Sequence, residues 1–178
     1  LLDLKRNKPD YCIFQGYVVP PIPEVIRGAK DFGLDIKFMG TFWAMTKMLL
    51  DKLGPDGEGY MGVSPYSYWY MDDVPMIQTI QAYNKKHYPD VTYKPSSYMQ
   101  GWFTGMVYVK LAQMCNEAGL PITGENLKNM IPKVQDWDTG GLNGVVSFAE
   151  SNATATGKVY KAQEGKFVAV SDWIKLDE

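Results

Sequence analysis

A single histidine, two cysteines and two tight clusters of aspartate are the side chains here best suited to reactive chemistry. His87 closes the run Lys85-Lys86-His87-Tyr88, where the pattern predicts a helix C-terminus. A cation there suits the helix dipole. Cys12 falls in an apolar strand and Cys115 in a long helix. Both are expected as buried free thiols. A disulfide between them is the alternative, and sequence does not supply the geometry such a bond requires. One histidine with two separated cysteines makes no zinc site and gives little support to a Ser-His or Cys-His nucleophile pair. Asp72-Asp73 and Asp136-Trp137-Asp138 are the residue types that do acid/base work or bind a hard cation. Each precedes a helical or turn segment, however, where aspartate serves as a cap or turn former. Gly140-Gly141-Leu142-Asn143-Gly144 is followed by no P-loop lysine and opens no helix, so it reads as a turn into a strand. Asn152-Ala153-Thr154 matches the glycosylation sequon. The reading that follows is of a protein that is not an enzyme and holds no metal and no cofactor.

The aromatic content stands out more than the reactive groups. The chain of 178 residues carries 12 Tyr, 7 Phe and 5 Trp, many at predicted strand ends and in loops where they can line a binding surface. Hydrophobic residues make up 46% and charged residues 21%, ordinary values for a folded protein. The formal net charge of −2 points to neither nucleic acid nor an anionic membrane surface. No apolar run approaches the ~20 residues that span a bilayer.

These groups must be positioned by alternating strands and helices. Leu1 to Lys8 is a short amphipathic stretch. Tyr11-Cys12-Ile13-Phe14 reads as a strand ending in Gln15-Gly16-Tyr17. Pro20 to Phe32 reads as a helix stopped by Gly33, and Ile36 to Gly40 as a second strand. Strand, helix and strand within about thirty residues form one βαβ unit. So small a parallel sheet cannot cover both of its faces, and its partner elements are expected outside the chain. A helix over Ala44 to Leu53 and a strand over Gly59 to Val63 follow. Pro75 opens a helix to about His87. The longest helix is predicted from about Ser97 to Ala118, with apolar residues broad enough to bury most of it. Thr123 opens another, ending before Pro132. Beyond Gly140 the expectation is short strands: Val145–Phe148, Lys158–Lys161 and Phe167–Val170, with Glu164-Gly165 as a tight hairpin turn.

In this order the elements resemble the C-terminal half of the type I periplasmic binding proteins. The closer likeness is to the branched-chain amino-acid-type substrate-binding proteins of ABC transporters. The residues that carry it are Leu4-Lys5 with Pro9-Asp10, Gly16-Tyr17, Ala29-Lys30 with Gly33-Leu34, Phe38-Met39-Gly40 and Gly57-Glu58-Gly59. They continue with Tyr98 and Gly101-Trp102, Gly144 to Phe148, and Gly165 to Trp173. The resemblance implies an α/β fold with Rossmann-like parallel-sheet lobes, incomplete in this chain. It implies that residues 1–56 form part of the C-terminal lobe and 57–140 part of the N-terminal lobe. Residues 141–178 would be closing strands returning along the C-terminal lobe. The family's first half has no counterpart here, so the chain is expected to be a fragment that exposes apolar surface or buries it by self-association.

Function follows the same resemblance. It implies the solute-binding component of an ABC importer, periplasmic or extracellular and membrane-anchored as a lipoprotein. Two hinged lobes would capture a small organic ligand. The partners implied are that ligand, a membrane permease and the missing N-terminal half, with no nucleic acid. Ligands of open α/β sheets bind beyond the carboxyl ends of strands, and Gln15-Gly16-Tyr17 and Thr41-Phe42-Trp43 are such ends. Tyr17 falls where amino-acid-binding members place an aromatic against the ligand. Phe42 falls where those members often carry the acid that pairs with the ligand's ammonium. Ser97 and Tyr98 lie near another contact position. The expected ligand-binding residues are therefore Tyr17, Phe42, Trp43, Ser97 and Tyr98. For Tyr17, Phe42 and Trp43 the alternative is plain hydrophobic packing. A phenyl ring cannot neutralise a cation, so an aromatic or apolar carboxylate is favoured over a branched-chain amino acid. A cytoplasmic ligand sensor of the same fold, or a Rossmann-like nucleotide-using enzyme, is the alternative function.

Overall fold

The computed structural model describes residues 1–16, 20–148 and 153–175. The chain divides into two compact units. One comprises Leu1–Ser64 with Lys158–Asp172, the other Pro65–Gly157 with Trp173–Glu178.

The first unit holds α1 (Leu2–Asn7), β1 (Tyr11–Phe14), α2 (Ile22–Asp31), β2 (Lys37–Gly40), α3 (Lys47–Leu53) and β3 (Met61–Ser64). It also takes most of β4 (Thr156–Gln163) and all of β5 (Lys166–Ala169). The strand order is β1-β2-β3-β4-β5. The first three strands run parallel, and β4 and β5 are antiparallel to their neighbours. The hairpin between β4 and β5 turns on Glu164 and Gly165, both at positive φ, as its sequence predicts.

The parallel part is built from amphipathic helices. Ile22, Ile26 and Ala29 recur on one face of α2 and are buried. Gly33, at φ 66°, stops the chain there. Thr46 caps α3 by accepting from the Leu49 N–H at 3.3 Å, and Leu49, Leu50 and Leu53 are buried. The helix begins three residues later than the pattern predicts, because Phe42–Ala44 first makes a 3-10 turn. Arg27 and Lys30 of α2 both reach Asp56 at 3.0 Å. They hold its carboxyl below the usual range, Lys30 foremost.

The second unit is mostly helical: α4 (Pro75–His87), α5 (Ser96–Glu117) and α6 (Gly124–Met130). Thr123 caps α6 through the Asn126 N–H. Ile77, Ile80, Met99, Phe103, Leu142 and Val146 are among the buried residues of this unit. A short pairing of Thr156-Gly157 with β6 (Ile174–Lys175) is its only described ladder.

Two expectations need correction. Val145–Phe148 is not a strand: it makes one isolated bridge, Trp137 to Val146, with Phe148 N–H bonding to the Val134 carbonyl. The Gly140–Gly144 turn leaves no extended partner long enough for a ladder. Nor is α5 mostly buried. Ser96, Met99, Phe103, Leu111 and Cys115 form its buried stripe, while Tyr108 and Val109 are more than half exposed. Its apolar residues run around the helix, and neighbours cover one side only.

Candidate functional site

The uncovered side of α5 forms the wall of an open groove of about 770 Å³ in the second unit. Tyr98, Gly101, Trp102, Gly105 and Val109 succeed one another at helical spacing along it. A Cβ added at Gly101 or Gly105 would meet nothing within 4 Å, so these two positions leave the groove wider rather than relieve a clash. Met106 and Trp137 also line it. The Trp137 ring stacks on Phe103 with centroids 6.1 Å apart and planes 21° off parallel. Ser97, Lys110 and Gln113 supply the polar groups of the lining.

The aromatic side of this groove is held by α4. Asn84, buried to 1% exposure, donates to the Ile80 carbonyl at 2.9 Å and to the Tyr98 hydroxyl at 3.0 Å. The Lys94 ammonium caps the Tyr98 ring, 4.6 Å from its centroid. Tyr83 meets Trp102 edge-on at 5.3 Å, and Tyr98 meets it at 6.3 Å. Cations over aromatic faces and edge-to-face rings are each favourable geometries. Tyr98 and Trp102 are therefore fixed in place, with a cation close by.

In the first unit, Phe42 and Trp43 follow directly on the carboxyl end of β2. The Thr41 N–H bonds to the Phe14 carbonyl at 3.0 Å, which ties the start of this turn to the end of β1. The two rings lie 5.1 Å apart and tilted by 52°. Trp43 is 43% exposed, while Phe42 is half-buried. Tyr17 lies outside the described residues.

The structure thus brings Phe42 and Trp43 together in one unit, and Ser97 and Tyr98 together on one groove of the other. Trp102, Gly101, Gly105, Val109, Lys110 and Trp137 were not among the residues expected from sequence. The available signal was the Gly101-x-x-x-Gly105 spacing around Trp102, which the structure leaves half-buried.

The groups first suspected of chemistry have structural employment. Asp138 accepts from the Gly140 N–H at 2.8 Å, and Asp72 accepts from the Gln81 side chain at 2.7 Å. His87 packs against Tyr83 with ring centroids 4.4 Å apart in the last turn of α4. Both cysteines are free thiols. Cys115 is buried and Cys12 half-buried rather than buried, with its thiol pushed up by desolvation. The difference arises because Cys12 stands on the outermost described strand of the sheet. Among the described residues, no group of three or more His, Cys, Asp or Glu is placed to hold a metal ion. No described helix is long and apolar enough to cross a membrane. The Asn152 sequon position lies outside the described residues.

A family model described as periplasmic binding protein matches residues 1–166. No curated protein matches by sequence. Among solved structures, one similar in fold is a branched chain amino acid ABC transporter from Thermus thermophilus with bound valine. It is 18% identical, with a TM-score of 0.81 over 98% of this chain and 48% of that one. A fatty acid ABC transporter substrate-binding protein from Thermomonospora curvata is 20% identical, with a TM-score of 0.80 over 99% and 46%. A branched-chain amino acid transporter substrate binding protein from Streptococcus pneumoniae, in complex with isoleucine, is 16% identical. Its TM-score is 0.69 over 98% and 48%. The chain spans about half the length of these structures.

Proposed function

This chain belongs to the periplasmic binding protein family, and on that premise we propose that it is part of the solute-binding component of an ABC importer, working outside the cytoplasm with a membrane permease and catalysing no reaction. Its ligand is a small aromatic or apolar carboxylate rather than a branched-chain amino acid. We assign ligand contact to Tyr17, Phe42 and Trp43, and to Ser97 and Tyr98.

One observation carries the ligand class: the residue at the carboxyl end of β2 is the uncharged Phe42, tilted against the exposed Trp43. A ligand ammonium brought to this turn would find no carboxylate on it, and an unpaired buried charge costs several kcal/mol. An apolar ligand body meets no such penalty, and each aromatic face adds roughly 0.5–1.5 kcal/mol for a planar ligand beyond burial. Support for keeping both ligand classes in the test comes from fold relatives named with bound valine, with isoleucine, and as a fatty acid transporter's substrate-binding protein.

The test is fluorescence titration of the full-length protein containing this chain with phenylacetate, octanoate and leucine. Saturable quenching by either acid, and a weaker response to leucine, supports the reading. A response to leucine alone overturns the ligand class.

A further inference from the structure

The groove along α5 is long, and its charge is confined to one end. From Tyr98 to Val109 the α5 residues that line it are aromatic, aliphatic or glycine, a run of about 16 Å along the helix axis. Beyond Val109 the lining carries Lys110 and Gln113. Three residues apart, these two are neighbours on the helix surface, and their ammonium and amide are both donors. The Tyr98 end is held in place: Asn84 donates to the Tyr98 hydroxyl at 3.0 Å, and Tyr83 meets the Trp102 ring edge-on at 5.3 Å. Open space beside Gly101 and Gly105 keeps the groove continuous between its ends. A largely apolar wall with a few convergent polar groups is the usual make-up of a small-molecule site, and about 770 Å³ is a usual size for one.

Charge decides what fits there. Of the described lining residues only Lys110 is charged, and no Asp or Glu is among them. Lys110 is half-buried, and among the described residues it makes no ion pair. Beside apolar surface an opposite charge acts on it more strongly than in bulk water. An anionic head group is therefore favoured at this end. A ligand ammonium would meet a like charge and no carboxylate, which is costly once it is desolvated.

We infer that this groove takes an extended acyl carboxylate, its head on the Lys110 ammonium and the Gln113 amide and its chain along α5 past Met106, Gly105 and Trp102 toward Tyr98. The inference deepens the proposed function and rests on it. Among apolar acids it selects chains over single rings, because a ring with its carboxylate at Lys110 leaves the Tyr98 end uncovered. Every methylene taken out of water adds to affinity, about two- to fourfold each, so affinity rises with chain length until the groove is filled.

The test is calorimetry of the full-length protein containing this chain with hexanoate, decanoate, phenylacetate, decan-1-ol and leucine. Decanoate is expected to bind at least tenfold more tightly than hexanoate or phenylacetate. Lys110→Met keeps the aliphatic stem and removes the charge. It should weaken decanoate at least tenfold and decan-1-ol less than about threefold, with Lys110→Arg restoring decanoate to within about threefold. Gly105→Leu narrows the groove at a position with open space around it, and should weaken decanoate and decan-1-ol alike. Should Lys110→Met fail to fold, Lys110→Gln gives the same reading. Equal losses for acid and alcohol in the Lys110 variant, or decanoate binding untouched by Gly105→Leu, would overturn the inference and leave the apolar-acid reading standing. Phenylacetate as tight as decanoate would do the same. A response to leucine alone, or to none of the five, would overturn both.

Discussion

Gly40 and Gly62 face each other as register partners between β2 and β3, and neither has room for a side chain. A Cβ on Gly62 would collide with the Gly40 carbonyl oxygen and the Met45 sulfur, and one on Gly40 with the Tyr60 hydroxyl and Ala44. The pair makes space for Met45 and Tyr60 to pack under the turn that carries Phe42 and Trp43. Gly62→Ala should destabilise the protein by about 2–3 kcal/mol, the scale of overpacking in a well-filled core. Urea denaturation measures this, and a change below about 0.5 kcal/mol would contradict it.

Tyr60 is 3% exposed, and its hydroxyl has no hydrogen-bond partner among the described residues. Burial pushes its ionisation well above the ordinary tyrosine range. Tyr60→Phe is therefore expected to be neutral or to stabilise by about 1 kcal/mol, since an unpaired buried polar group costs about 1–3 kcal/mol. A loss of more than about 1 kcal/mol in thermal or urea unfolding would show that the hydroxyl is bonded.

The pH dependence has one arm at each end. The Tyr60 hydroxyl is held neutral in the fold, so its contribution is complete below about pH 10, the unfolded value. It is lost as pH rises toward the folded value, and Tyr60→Phe should flatten this alkaline arm. Asp56 is the reverse case, its carboxyl lowered by Lys30 and Arg27. Its contribution is present above about pH 4 and fades as pH falls through the lower folded value. Asp56→Asn should soften the acid arm. Melting temperatures measured from acid to alkaline pH check both, and unchanged slopes in the two variants would contradict them.

Asn84 and Tyr98 should behave as a coupled pair. The amide is buried and bonded to the hydroxyl, so Asn84→Ala and Tyr98→Phe each remove the same bond. A double-mutant cycle is expected to give a coupling of about 1 kcal/mol. Strict additivity would mean that the bond does not orient the Tyr98 ring.

The helices and parallel strands were legible because their signals are local. Pro75 opens α4 and the residues after His87 end it, and Gly33 stops α2 where the periodicity fails. The α/β class and the family likeness followed from the order of such elements. What sequence hid depends on which neighbour is present. The apolar residues of α5 read alike whether they face the core, as Met99 does, or a groove, as Val109 does. Val145–Phe148 has strand composition, but pairing needs a partner, and the glycine turn before it supplies only Trp137. For the candidate site, Tyr98 was visible as an aromatic at a helix start. Its anchoring by Asn84 and Lys94 was not, because those contacts cross from the last turn of α4 and the loop that follows.

The most direct test is calorimetry of the full-length protein containing this chain against phenylacetate, octanoate and leucine, for the unsubstituted form and for Phe42→Glu. If an uncharged aromatic at the end of β2 selects against an ammonium, an apolar acid binds at least tenfold more tightly than leucine. Phe42→Glu narrows that gap or reverses it, by supplying the missing charge partner. Tight leucine binding by the unsubstituted protein, with no heat from either acid, would contradict the account and place the ammonium's partner elsewhere.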